Sequence, residues 1–115
     1  MQRPFKLALI SALFAMSSVA QLEVFLFECD DCKCSGADAG RFVDGGSNIG
    51  QCQNINVGFG PVAVGLSGGS SAHCTMFASN DCSGVEENVG IHSGQTFGCT
   101  ATEIGAFGSF KCFTR

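Results

Sequence analysis

Residues 74–84 read Cys74-Thr75-Met76-Phe77-Ala78-Ser79-Asn80-Asp81-Cys82-Ser83-Gly84. Cys74 to Phe77 is a short apolar run of strand length. Ser79-Asn80-Asp81 is a turn cluster, because Ser, Asn and Asp side chains hydrogen-bond their own backbone and hold tight bends. A cysteine closes each end of the unit. Similar units lie on either side. Glu23 to Glu28 (EVFLFE) and Ser109 to Phe113 also read as strands, and Ile55, Val57 and Phe59 alternate with Asn54 and Asn56. Val85, Val89 and Ile91 share a second face, interrupted by Glu87. Turn clusters stand between the runs at Asp44 to Asn48, Ser67 to Ser71 and His92 to Gly94. Sixteen glycines disfavour long helices, since each interior Gly costs about 1 kcal/mol relative to Ala. The chain therefore reads as mainly β, a small disulfide-stabilised β-sandwich or barrel.

The N-terminus reads as a secretory leader. Arg3 and Lys6 precede the uncharged run Leu7 to Met16 (LALISALFAM), and small residues stand at Ser18 and Ala20. Cleavage is expected after Ala20. The run is too short to span a bilayer, which takes roughly 20 apolar residues. This division gives a signal peptide at 1–20 and a single secreted domain at 21–115. The domain keeps Lys33, Arg41, Lys111 and Arg115 against ten acids, a net charge of −6. Four scattered cations are the wrong equipment for a polyphosphate backbone, so no nucleic-acid partner is expected, and no transmembrane anchor.

All eight cysteines fall after the leader: Cys29, Cys32, Cys34, Cys52, Cys74, Cys82, Cys99 and Cys112. An even count in an exported chain predicts four disulfides and no free thiol. Four lie at or before Cys52 and four at or after Cys74, so pairing of Cys74, Cys82, Cys99 and Cys112 among themselves is expected. The span Cys29 to Cys52 is polar and glycine-rich and reads as an irregular N-terminal cystine-rich segment. A faint repeat sets Asn56-Val57-Gly58-Phe59 beside Asn88-Val89-Gly90-Ile91, each followed by Ser-Gly and Cys-Thr.

Catalytic constellations are wanting. Cys29-x-x-Cys32-x-Cys34 would suggest zinc or a redox dithiol in a reducing cell, but export makes it structural cystine. Glu28, Asp30, Asp31, Asp38 and Asp44 do not follow the alternation of a calcium loop, so a solvated acidic stretch is expected and no metal. His73 and His92 are the only histidines, with no nucleophile elbow to join them. They read as surface residues flanking a strand. No enzyme activity and no cofactor are expected, and no N-glycosylation sequon is present.

The segment Cys74 to Gly84, with the closing Ser109-Phe110-Lys111-Cys112, resembles repeats in small secreted cysteine-rich fungal proteins and killer-toxin-like proteins with a βγ-crystallin-like fold. The likeness covers the C-terminal two-thirds of the mature chain; Phe77 stands where the crystallin strand commonly has Tyr. The resemblance implies a Greek-key β-sandwich. It also implies an extracellular effector or toxin, a virulence factor that binds a host protein or plasma-membrane component and can induce necrosis. A cell-wall or matrix protein, or a protease inhibitor, is the other class left open. Recognition sites usually sit on loops of a braced scaffold. The expected binding loops are Gly36 to Asn48, with Asp38, Arg41 and Asp44, and Ser67 to Ala72.

Overall fold

A computed structural model describes residues 21–43, 45–69 and 72–114. Residues 1–20, read above as a leader, and Asp44, Ser70, Ser71 and Arg115 lie outside the described residues. Eight strands form: β1 (Gln21–Phe27), β2 (Gly36–Val43), β3 (Gln53–Asn54), β4 (Ala63–Ser67), β5 (His73–Phe77), β6 (Glu86–Gly90), β7 (Phe97–Ala101) and β8 (Ser109–Phe113). They make two antiparallel four-stranded sheets, one ordered β2-β1-β4-β7 and the other β3-β8-β5-β6. No helix occurs among the described residues, and no membrane-spanning helix either. The mainly β reading holds.

The two orders are one pattern used twice. The first half keeps β1, β2 and β4 in one sheet and lends β3 to the other. The second half keeps β5, β6 and β8 and lends β7 in return. Registers confirm the match residue by residue. Phe27 faces Ala63 and Val24 faces Leu66 in the first half; Phe77 faces Ser109 and Cys74 faces Cys112 in the second. Val62 N donates to Phe27 O at 2.9 Å, and Gly108 N donates to Phe77 O at 2.8 Å. The duplication is real, but not the one suggested by Asn56 to Phe59 and Asn88 to Ile91. The former follows β3 in a non-strand segment, whereas the latter begins within β6.

Alternation explains the core. Along β1, Leu22, Val24 and Leu26 are fully buried while Gln21 is exposed and Glu23, Phe25 and Phe27 are half-buried. Along β5, Cys74 and Met76 point inward. Inward residues of both sheets join Phe42, Val64, Leu66, Phe107 and Phe110 in a single cluster. Phe42 and Phe110, one from each sheet, meet edge to face with ring centres 5.8 Å apart. At roughly 1.5–3 kcal/mol for each fully buried large apolar side chain, this cluster dominates the favourable side of folding.

Three expectations about the strands need correcting. Val85 does not share the buried face of Val89 and Ile91, since it lies just before β6 and is exposed. Cys29 to Cys52 is not irregular throughout, because Gly36–Val43 is an eight-residue strand. It hides from pattern reading because its burial does not alternate cleanly. Ile55, Val57 and Phe59 do not form a ladder either. β3 stops at Asn54, and Gly58, between Val57 and Phe59, takes a left-handed φ of 86° that breaks any extended pattern there. Ile55 and Val57 still pack on the core.

All eight cysteines pair, as Cys29–Cys34, Cys32–Cys99, Cys52–Cys82 and Cys74–Cys112. Pairing confined to each half is thereby overturned for Cys82 and Cys99. The exchange of strands is the cause: Cys99 rides on β7 into the first half's sheet, and Cys52 leads into β3 in the second half's sheet.

Candidate binding surface

The corner between the first two strands of each half shapes the surface. Cys32 and Cys82 turn these corners with φ of 58° and 59°, a conformation that non-glycine residues rarely take. The second corner is closed by hydrogen bonds. Ser109, fully buried in β8, accepts from Cys82 N at 2.8 Å and donates to Ser79 O at 2.6 Å. The Asp81 carboxylate accepts from the hydroxyls of Ser83 and Ser79. Those hydroxyls, Ser83 first, hold the exposed Asp81 carboxyl below its usual value of 3.8. The first corner has Ala63 in the place of Ser109, so it lacks this hydroxyl. Cys29 stands where Ser79 does, and its bond to Cys34 closes the loop covalently.

Asp38 and Arg41 both sit on β2, not in a loop. Between Val24–Gly40 and Phe25–Asp38 the β1–β2 register slips, and Ala39 is the extra residue of a bulge. Gly40, with φ of 135°, donates its N–H to Asp38 Oδ1 at 2.9 Å. The bulge presents Asp38 at the side of the molecule where β2 and β3, edge strands of opposite sheets, border one cavity. That cavity is about 170 Å³. Ile55 and Val57 supply its apolar walls over the buried Leu26 and Phe110; Asp38, Gln53, Asn54 and Asn56 supply the polar groups. Asn54 Nδ2 donates to Asn80 O at 2.6 Å, which ties this wall to the second corner.

Arg41 serves a different place. Its guanidinium lies 3.0 Å from Glu23 Oε2 across the strand pair. Together they line an open depression with Gln21, Ser67 and Gly68. The three residues expected to act together are thus split: Asp38 at the cavity, Arg41 at the depression, and Asp44 outside the described residues. In the second expected loop, Ser67 ends β4, Ala72 is buried, and Ser70 and Ser71 are not described.

The outer faces of the two sheets differ in character. Phe25, Phe27 and Phe97 share one, with Phe97 46% exposed. A Cβ on Gly65 would fall 2.9 Å from Phe97 Cζ and 3.0 Å from Phe27 Cε2, so these rings cover the strand at a glycine. The other outer face carries Thr75, hydrogen-bonded to Asn88, Lys111 with its Nζ 6.0 Å from the Phe77 ring centre, and His73 stacked on Phe113. His73 opens β5 and His92 follows β6, both exposed, as the sequence suggested. Sequence reasoning missed the cavity, whose walls come from four strands and the segment after β3; its one local signal was the alternation of Asn54 and Asn56 with Ile55 and Val57. Comparison of the chain with protein-family models, with curated proteins and with solved structures finds no match.

Proposed function

We propose that this chain is a secreted cysteine-rich effector or toxin of the fungal type. In this reading it has a βγ-crystallin-like Greek-key sandwich and acts by binding a host protein or plasma-membrane component, without catalysis. The observation that carries the reading is the exchanged, cross-braced scaffold. Each half lends its third strand, and four cystines tie a domain of modest size. That plan supports the resemblance read from Cys74 to Gly84 and Ser109 to Cys112. It also suits an extracellular life, because cross-links suppress the opened states that proteases attack. Binding surfaces are at hand in the Asp38 cavity and the Phe25–Phe27–Phe97 face. The histidines stand apart, one opening β5 and one in the turn after β6, which favours recognition over acid–base work.

The test is infiltration of purified oxidised protein into leaf tissue, with a protease panel run in parallel. Cell death or an altered immune response is expected. Silence in tissue, joined to inhibition of a protease or retention in the producer's own wall, would replace this reading with the inhibitor or matrix alternative.

A further inference from the structure

We infer that the cavity between β2 and β3 receives one lysine side chain of a partner polypeptide, an inference that rests on the binding role proposed above and names its chemistry. The cavity, about 170 Å³, is smaller than the roughly 300–1,000 Å³ pockets that hold drug-sized ligands. It suits a single side chain. Its walls are amphipathic in a particular order: the half-buried Ile55 and Val57 offer apolar contact above a floor closed by the buried Leu26 and Phe110, and the exposed Asp38 offers one carboxylate. An unbranched alkyl stem ending in a cation fits both demands.

The polar groups favour ammonium over guanidinium. Asn54 has committed its Nδ2 to Asn80 O, which leaves its oxygen to accept. Asp38 Oδ1 already accepts from Gly40 N, so Oδ2 is its less encumbered oxygen. Single acceptors on separate side chains suit the three independent donors of a compact ammonium, whereas a guanidinium seeks a bidentate carboxylate. Charge is complementary as well, because residues 21–115 carry ten acids against four basic side chains. The equivalent side of the molecule is built differently. Asn88 replaces Asp38 there, its Oδ1 accepts from Thr75, and Glu87 Oε1 is taken by Glu103 N at 2.9 Å. The cation site therefore belongs to one half only.

The experiment is a titration of 15N-labelled oxidised protein, followed by NMR, with N-acetyl-lysine methylamide. The norleucine and arginine analogues and the diamine cadaverine serve as comparisons. Saturable shifts are expected at Asp38, Ala39 and residues 53–57, with lysine strongest. Asp38→Asn keeps an acceptor for Gly40 N, so the bulge and the spectrum should persist while lysine affinity falls at least about tenfold. Equal binding by norleucine, undiminished binding by Asp38→Asn, or no shifts at the solubility limit would each overturn the site. Tighter binding by cadaverine or arginine would overturn the lysine assignment. Tissue assays of the wild-type protein judge the effector reading separately, since that reading can fail while the titration succeeds.

Discussion

Cys32 and Cys82 hold the same left-handed backbone conformation at equivalent corners, and each is bonded to the chain that carries the other half's lent strand. Cys32 reaches Cys99 on β7, and Cys82 reaches Cys52 beside β3. The two bridges are thus mates under the internal duplication. Each fixes the strand that has crossed over, so together they lock the exchange.

Removing one lock should be costly. Closing a loop of this length is worth about 4 kcal/mol in the chain-entropy account, against about 2 kcal/mol for Cys29–Cys34 with its separation of only five residues. Cys32→Ser with Cys99→Ser should lower Tm by roughly 16–32 °C. Cys29→Ser with Cys34→Ser should lower it by about half as much, and the protein should remain folded. Equal losses in thermal unfolding would contradict the assignment of the exchange lock to Cys32–Cys99.

Ser109→Ala tests the hydrogen-bonded corner. It removes the acceptor for Cys82 N and the donor to Ser79 O in a fully buried position. A destabilisation of about 1–3 kcal/mol is expected in denaturant unfolding, with the disulfides intact. A neutral result would mean that the Asp81 hydrogen bonds, the Asn54–Asn80 contact and the Cys52–Cys82 bridge hold the corner without Ser109.

Asp81 gives the corner a pH signature. Its carboxyl is held below 3.8 in the folded protein, chiefly by the Ser83 hydroxyl and then by that of Ser79. The folded value lies below the unfolded one, so the contribution is fully present above the unfolded value and is lost as pH falls through the folded one. Asp81→Asn should therefore be less stable than wild type at pH 6, with the gap closing below pH 3.8. The effect is small because the group is exposed. A gap that stays constant from pH 6 to pH 2 would show that ionisation plays no part.

Gly108 has no room for a side chain. A Cβ there would lie 2.6 Å from Ser79 O and 2.7 Å from Ala78 O, both backbone atoms that cannot swing aside. Gly108→Ala should cost at least about 1–3 kcal/mol, in the range of overpacked sites. Gly69→Ala, where a Cβ meets nothing within 4 Å, should leave the unfolding midpoint almost unchanged. Comparable midpoints for the two variants would argue against the close approach of the corner to β8.

Sequence reading succeeded where local pattern and structure share a cause. Ser109–Phe113 is a strand to the residue, and the apolar run read at Glu23–Glu28 overlaps β1, where a run of strand length is strand in fact. It failed at β4, where Ala63 to Leu66 is buried without alternation. It failed at β2, where a bulge at Ala39 breaks the period. The duplication was hidden because matched positions carry different chemistry: Cys29 against Ser79, Ala63 against Ser109, and Val24 with Leu66 against the Cys74–Cys112 bridge. Of the three candidate binding residues, Asp38 lines a cavity and Arg41 is paired with Glu23. Both now stand on a strand, since loop assignment from Gly and Asp content could not foresee a bulge.

The exchanged strands also set a timetable. A chain is made from its N-terminus, and a unit folds once its parts have emerged. β1, β2 and β4 are in hand early, yet their sheet stays one strand short until residues 97–101 arrive. Cys29 can find Cys34 almost at once, whereas Cys32 must wait 67 residues for Cys99. During that interval three thiols within six residues compete, and any bond from Cys32 to Cys29 or Cys34 has to be undone. Completion of the native set is therefore a late event that waits for Cys99 and Cys112, and a wrong bond at Cys32 is corrected by disulfide reshuffling, a process of seconds to hours that an isomerase accelerates.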